Sequence, residues 1–236
     1  VSIRTLIFLL PMLVNSQSYK QNKMGNKINL DNKQQLVVNI SAFTAVGNMD
    51  SLTIELGRGL EAGLTINKIK EILVHLYAYT GFPRSLNALA AFMQVIEEAK
   101  KQGKEYIEGE NTSPLPENTD ILKLGTQVQT ELVGQPVSGG VMEFAPAIDR
   151  YLKTHLFGDI FAGDVLTYQQ RELVTVSALA AMTGLESQLQ SHLVIAMNTG
   201  LTENQLLEVM DQIEQNINKE QADIGRKILS KLKEYK

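Results

Sequence analysis

Glu172 and His192 are the residues of this chain whose types and spacing could move a proton. A carboxylate and an imidazole held together can act as base and acid in turn. Gly184 separates them as a helix break. If the flanking helices fold back as a hairpin, Glu172 lies about 18 Å up one arm and His192 about 12 Å up the other. Both would then reach one cleft. Their neighbours are apolar: Leu173, Val174, Val176 and Leu179 on one arm, Leu189, Leu193, Val194 and Ile195 on the other. Burial there would shift both pKa values. The same spacing is also met by a surface Glu at a helix start and a His satisfied by one hydrogen bond. His75, three residues past Ile72 and four before Tyr79, reads on its own as a half-buried packing residue. His155, before Leu156-Phe157-Gly158, has no independent claim to catalysis.

The elements that must position these groups come from a duplication. Residues 35–73 and 172–210 align without a gap. Leu36, Val37, Gly47, Leu52, Leu56, Gly63, Leu64, Thr65, Asn67 and Glu71 match Leu173, Val174, Gly184, Leu189, Leu193, Gly200, Leu201, Thr202, Asn204 and Glu208. The matches fall on turn glycines, a helix cap and apolar spacings, which marks a repeated fold unit. Glu172 and His192 become Gln35 and Glu55 in the first copy. One copy is equipped for acid/base chemistry and the other is altered.

Periodicity predicts an all-α chain. A helix runs from near Gln34 to Val46, broken by Gly47-Asn48, and Asp50 can cap the next. That helix ends at Gly63. Thr65 caps a helix with Ile66, Ile69, Ile72, Leu73 and Leu76 on one face, and Gly81-Phe82-Pro83 stops it. A helix over 84–100 carries Leu86, Leu89, Ala90, Met93 and Ile96 as its expected core stripe. Residues 101–116 are a hydrophilic connector. Helices are expected over 117–132 and 143–157, and 158–163 reads as a turn with exposed aromatics. The second copy then gives helices over 168–182 and 186–198 and one from Thr202, whose Gln205 completes a capping box. Residues 219–236 form a charged amphipathic helix. The expected units are a first repeat over 35–100 and a second over 117–236.

Composition narrows the function. Net charge is −4, with 22 basic and 26 acidic residues, so there is no basic footprint for nucleic acid. There is no cysteine, which removes disulfides, thiol chemistry and thiolate metal sites. No HExxH or Glu-x-x-His pattern, phosphate loop or G-x-S-x-G elbow occurs, so neither metal nor cofactor is expected. Arg4, the apolar run Leu6 to Val14 and Asn15-Ser16-Gln17-Ser18 fit a signal peptide over 1–18, followed by a polar linker over 19–34. Export to a periplasmic or secreted location is the expectation. The alternative is a buried N-terminal helix in a cytoplasmic protein. The run is too short to span a bilayer as a helix.

The run Arg171-Glu172-Leu173-Val174-Thr175-Val176-Ser177-Ala178-Leu179-Ala180-Ala181-Met182-Thr183-Gly184, then Leu189, His192 and Ala196-Met197-Asn198-Thr199-Gly200-Leu201-Thr202, resembles the carboxymuconolactone decarboxylase family. Gly158-Asp159-Ile160-Phe161 resembles that family's Gly-x-Ile-Trp turn, with Phe161 for Trp. The first copy carries what the second lacks: Glu71 to Pro83, with His75, Tyr79 and the Gly-Phe-Pro turn, then Asn87-Ala88, resembles the family's downstream helix. The resemblance implies an alkylhydroperoxidase D-like helical bundle in two tandem repeats that associates as a trimer or hexamer. One branch of that family is a cysteine-dependent peroxidase. Its cysteines would fall near Leu185 and Gln188, so thiol chemistry is not available here. The other branch decarboxylates γ-carboxymuconolactone without cysteine or metal. For it the resemblance implies Glu172 and His192 as acid and base, with His75 completing a pocket at a repeat or subunit interface. Arg171 or Arg84 would meet the substrate carboxylate, and Phe161 and Tyr79 would line the site. A tandem, exported chain departs from the single-unit enzyme, so a small carboxylated or lactone substrate of other identity is expected. A non-catalytic oligomeric binding module is the alternative.

Overall fold

The computed structural model describes residues 29 to 234, and among these all regular structure is helical. The expected signal segment lies outside the described residues. No helix among them is long and apolar enough to cross a membrane.

Each half of the molecule begins with a helical hairpin. In the first, α1 (Asn32–Val46) and α2 (Met49–Glu61) meet at Gly47, whose φ of 74° places it in the left-handed region that favours glycine. Asp31 and Gln34 form a capping box at the start of α1, two residues before the expected helix start. Asn48, not Asp50, caps α2, because its side chain accepts from the Ser51 amide. In the second half, α7 (Tyr168–Ala181) and α8 (Glu186–Asn198) are joined by a longer turn, in which Met182 is extended and Gly184 has a left-handed φ of 76°. Thr167 with Gln170 and Thr202 with Gln205 are capping boxes for α7 and for α9 (Glu203–Asn216).

The third helix of each half stays packed on its own half and also reaches the other. Helix α3 (Ile66–Lys101) packs against α7, and α9 packs against α1, while α1 and α7 lie on one another at the centre. The core is therefore common to both halves and joins Leu36, Ile40, Leu52, Leu56, Ile69 and Leu76 to Val174, Val176, Leu189, Leu193 and Leu206. All of α7 from Arg171 to Ala181 is buried. Its buried hydroxyls are satisfied locally: Thr175 and Ser177 donate to the carbonyls four residues back, as Ser41 and Thr44 do in α1.

Within α3 the chain reverses at Gly81, whose φ of 77° and ψ of 160° are not helical. Ser85 Oγ donates to the Leu73 carbonyl at 2.8 Å. In a straight helix those residues would stand about 18 Å apart, so the arm after Gly81 folds back along the arm before it. Pro83 then sits at a helix start, where a missing N–H costs nothing. The arm 66–80 buries the expected stripe of Ile66, Ile69, Ile72, Leu73 and Leu76. In the second arm Leu89 and Ile96 of the expected stripe pack partly buried against the core, but the rest corrects the expectation. Ser85, Ala88, Phe92 and Ala99 face inward, while Leu86 and Met93 are 59% and 57% exposed.

The connector after α3 runs back past its N-terminus. Carbonyls of Ile107 and Glu108 accept from Ile66 and Asn67, two of the amides a helix start leaves open. The connector is then tied to the loop before α7 by the Ser113 amide, which donates to Asp164. Helix α4 (Ile121–Val133) follows, then the short α5 (Val141–Phe144) and α6 (Pro146–Tyr151) and a π-helix over Leu152–Phe161. The expected exposed turn at 158–163 is thus largely π-helix, with Phe157 and Phe161 buried in a second cluster beside Val128, Leu132 and Ile195. Helix α10 (Lys219–Glu234) closes the fold against α8 and α9.

Candidate active site

The hairpin of α7 and α8 brings Glu172 and His192 together. The Glu172 side chain is fully buried, and its Oε2 lies 2.9 Å from His192 Nδ1. A carboxylate accepts, so Nδ1 carries a proton and donates it to Glu172. The His192 side chain is 12% exposed. The other oxygen of Glu172 is buried with no hydrogen-bond partner.

The rest of the site comes from the first arm of α3. Tyr79 stands edge-on to His192, with ring centroids 5.4 Å apart, and His75 lies 5.4 Å beyond it. The Tyr79 hydroxyl is buried with no hydrogen bond of good geometry. Burial, and then the Glu172 carboxylate, push its phenol up, against smaller pulls from Thr175 and Arg171. A buried donor and a buried acceptor, both unpartnered, therefore sit beside one imidazole. Such groups are rare and call for an explanation, a bound molecule among them.

His75 is not a half-buried packing residue but wholly enclosed. Its Nε2 lies 2.8 Å from Thr175 Oγ1, and Arg171 Nη1 approaches its Nδ1 at 3.4 Å. Arginine can only donate, so Nδ1 accepts and the ring proton is on Nε2, given to Thr175. Thr175 can accept it because its own proton goes to the Arg171 carbonyl. Burial, then the charge of Arg171, then His192, hold the His75 pKa well below the usual histidine range. The ring is neutral and cannot readily serve as a general acid.

Arg171 is also fully buried. Its Nη2 donates to Glu71 Oε1 at 2.7 Å and to the Gly163 carbonyl at 2.9 Å. A guanidinium so engaged braces α3 against α7 and is not presented to an incoming carboxylate, as the resemblance implied. Phe161 is buried with its edge to His75, at 5.1 Å between centroids, and forms a wall of the cluster. Arg84 is exposed beside Gly47 and contacts none of these groups. His155 is exposed and paired with Asp159 at 2.7 Å. The structure thus gathers Glu172, His192, His75, Tyr79, Arg171 and Phe161 and leaves Arg84 outside. Sequence reasoning missed Thr175, a threonine in an apolar run whose role depends on a residue 100 positions away. Among the described residues no three His, Asp or Glu side chains converge as a metal site.

A duplicated all-α bundle, with a buried Glu–His pair in its second hairpin walled by a helix of the first half, defines the class. The carboxymuconolactone decarboxylase family model matches residues 18–94 and 146–216, more than half of the chain, in two regions. The chain belongs to that family, as a tandem-repeat member. Compared with the curated proteins, it matches none.

Proposed function

We propose that this protein is a cofactor-free lyase that decarboxylates a small carboxylated or lactone substrate by acid/base chemistry at Glu172 and His192. One observation carries the reading: a buried carboxylate fixes the outer imidazole by its Nδ1 and leaves Nε2 to the edge of the site. In the reaction, the bond between the substrate carbon and its carboxylate breaks and CO2 leaves. The electron pair passes into the adjacent unsaturated lactone as a dienolate. The proton that carbon then needs comes from His192 Nε2, protonated before the step and stabilised as imidazolium by Glu172. Tyr79 can donate a hydrogen bond to the developing oxyanion without ionising. Family membership and the preserved pair support this reading. Peroxidase chemistry is disfavoured by Leu185 and Gln188 where the thiols would stand.

The test is CO2 release from a panel of carboxylated lactones, beginning with γ-carboxymuconolactone. His192→Ala is expected to abolish turnover with the thermal melt unchanged, and Glu172→Gln to slow it by about 10²–10⁴-fold. Full activity in His192→Ala would remove the assignment. Saturable binding of a panel member without CO2 release would favour the non-catalytic binding module, for which the nearly closed site is the supporting observation. We further propose that the chain self-associates through the outer face of the arm after Gly81, where Phe82, Leu86 and Met93 are exposed.

A further inference from the structure

The reach of each third helix across the halves creates a second site, related to the first by the repeat. Helix α9 places Gln212 and Asn216 against α1 and α2 at the repeat positions that His75 and Tyr79 occupy in the first copy. With Gln35 and Glu55, the counterparts of Glu172 and His192, they line a groove of about 350 Å³. Three of the four proton-handling groups are here replaced by carboxamides, which hydrogen-bond but do not titrate. This groove cannot run the chemistry of its twin.

It has not simply lost its polarity. Asn39 and Arg58 stand where the second copy has Val176 and Ile195. Asn39 Nδ2 donates to Glu55 Oε2 at 3.1 Å, and Arg58 Nη1 to Glu55 Oε1 at 2.7 Å. Asn216 Nδ2 donates in turn to Asn39 Oδ1 at 3.2 Å and to Gln212 Oε1 at 3.3 Å. The Glu55 carboxylate, almost fully buried, is thus satisfied on both oxygens and neutralised. The Gln212 amide nitrogen and the Asn216 amide oxygen have no partner among the described residues. Phe43 and Ile54 give the groove an apolar flank.

We propose that this groove binds an uncharged polyhydroxylated molecule, a sugar or cyclic polyol. An anion drawn to Arg58 would stand beside the Glu55 carboxylate, and a cation drawn to Glu55 beside the Arg58 guanidinium, so the pair favours neither sign of charge. Hydroxyls both donate and accept, which matches the open amide donor and acceptor, and the C–H face of a ring would lie on Phe43 and Ile54. The volume admits a single ring.

The test is a titration of the full ¹⁵N-labelled chain, at slightly acidic pH, with neutral hexoses and myo-inositol. D-glucuronate and D-glucosamine are the charged controls. At least one neutral compound is expected to shift the side-chain amides of Asn39, Gln212 and Asn216 saturably, with the charged analogues at least about tenfold weaker. Asn216→Leu, at an exposed position, should weaken binding by about tenfold or more. Gln212→Leu is the second variant should the first perturb the fold. Glu172→Gln should leave the groove shifts unchanged, which separates this site from the Glu172–His192 site. No saturable shift up to the solubility of the neutral compounds, tighter binding of a charged analogue, or shifts that survive both leucine variants would overturn the proposal.

Discussion

His75 is the residue on which the interior electrostatics turn. It faces Arg171, Thr175, Tyr79 and Phe161, with Glu71 behind the arginine and His192 beyond the tyrosine. In the folded protein it stays neutral to well below pH 6.5, whereas in the unfolded chain it takes up a proton near its ordinary value. As pH falls below about 6.5 the unfolded state therefore binds one more proton than the folded state, and stability falls by up to about 1.4 kcal/mol per pH unit. Above that range the contribution is fully present. Denaturant melts between pH 7.5 and about 5, above most carboxylate titration, should show this slope, and His75→Gln should flatten it. An equal slope in the variant would mean that another group carries the dependence. This role was hidden in the sequence, where His75 has Ile72, Ala78 and Tyr79 a turn away and nothing announces Arg171 or Thr175. Glu172 and His192 were legible because each lies a few turns from one glycine break, so local geometry alone brings them together.

At the scale of elements, the caps and breaks were the most legible features. Thr65, Gly184, Gly200 and the Thr202–Gln205 box act within a few residues of themselves, so tertiary context has little room to override them. The arm after Gly81 was misread for the converse reason. Its apolar residues form two stripes, and helical periodicity does not say which one faces the core. The reversal at Gly81 turns the small residues Ser85 and Ala88 inward, where two arms of one helix must pack closely, and sends Leu86 and Met93 outward. A stripe that also includes Phe82 is a large apolar surface for a free chain. Sedimentation velocity should show a concentration-dependent oligomer for the unaltered protein. Leu86→Glu with Met93→Glu should shift it to the monomer without loss of thermal stability, since neither side chain is in the core. A monomer for the unaltered protein at all concentrations would leave that face without the role proposed for it.

At the scale of the molecule, the repeat is a unit of sequence but not of folding. Residues 35–73 and 172–210 suggested two bundles in a row, and alignment along one chain could not reveal that α3 and α9 each bridge both halves. This bridging has an energetic consequence. Every side chain of α7 from Arg171 to Ala181 is buried, and a helix buried on all sides needs neighbours on all sides. In a fragment of residues 117–234, α1 and the first arm of α3 are gone. Part of α7 would be exposed, at about 1.5–3 kcal/mol for each large aliphatic side chain returned to water. Arg171 would also remain without Glu71. A few such losses equal the whole stability of an ordinary domain, about 5–15 kcal/mol. Residues 29–116 alone would lose α7 and α9 from α1 in the same way. Each half expressed separately should therefore melt without a cooperative transition and expose apolar surface to a reporter dye. Co-expressed halves should associate and recover the cooperative melt of the intact chain, because the severed connector crosses no buried contact of α7. Cooperative folding of either half by itself would show that the contacts between the halves join two self-sufficient units. The Glu172–His192 site, half of whose walls come from α3, would then have to work with those walls missing.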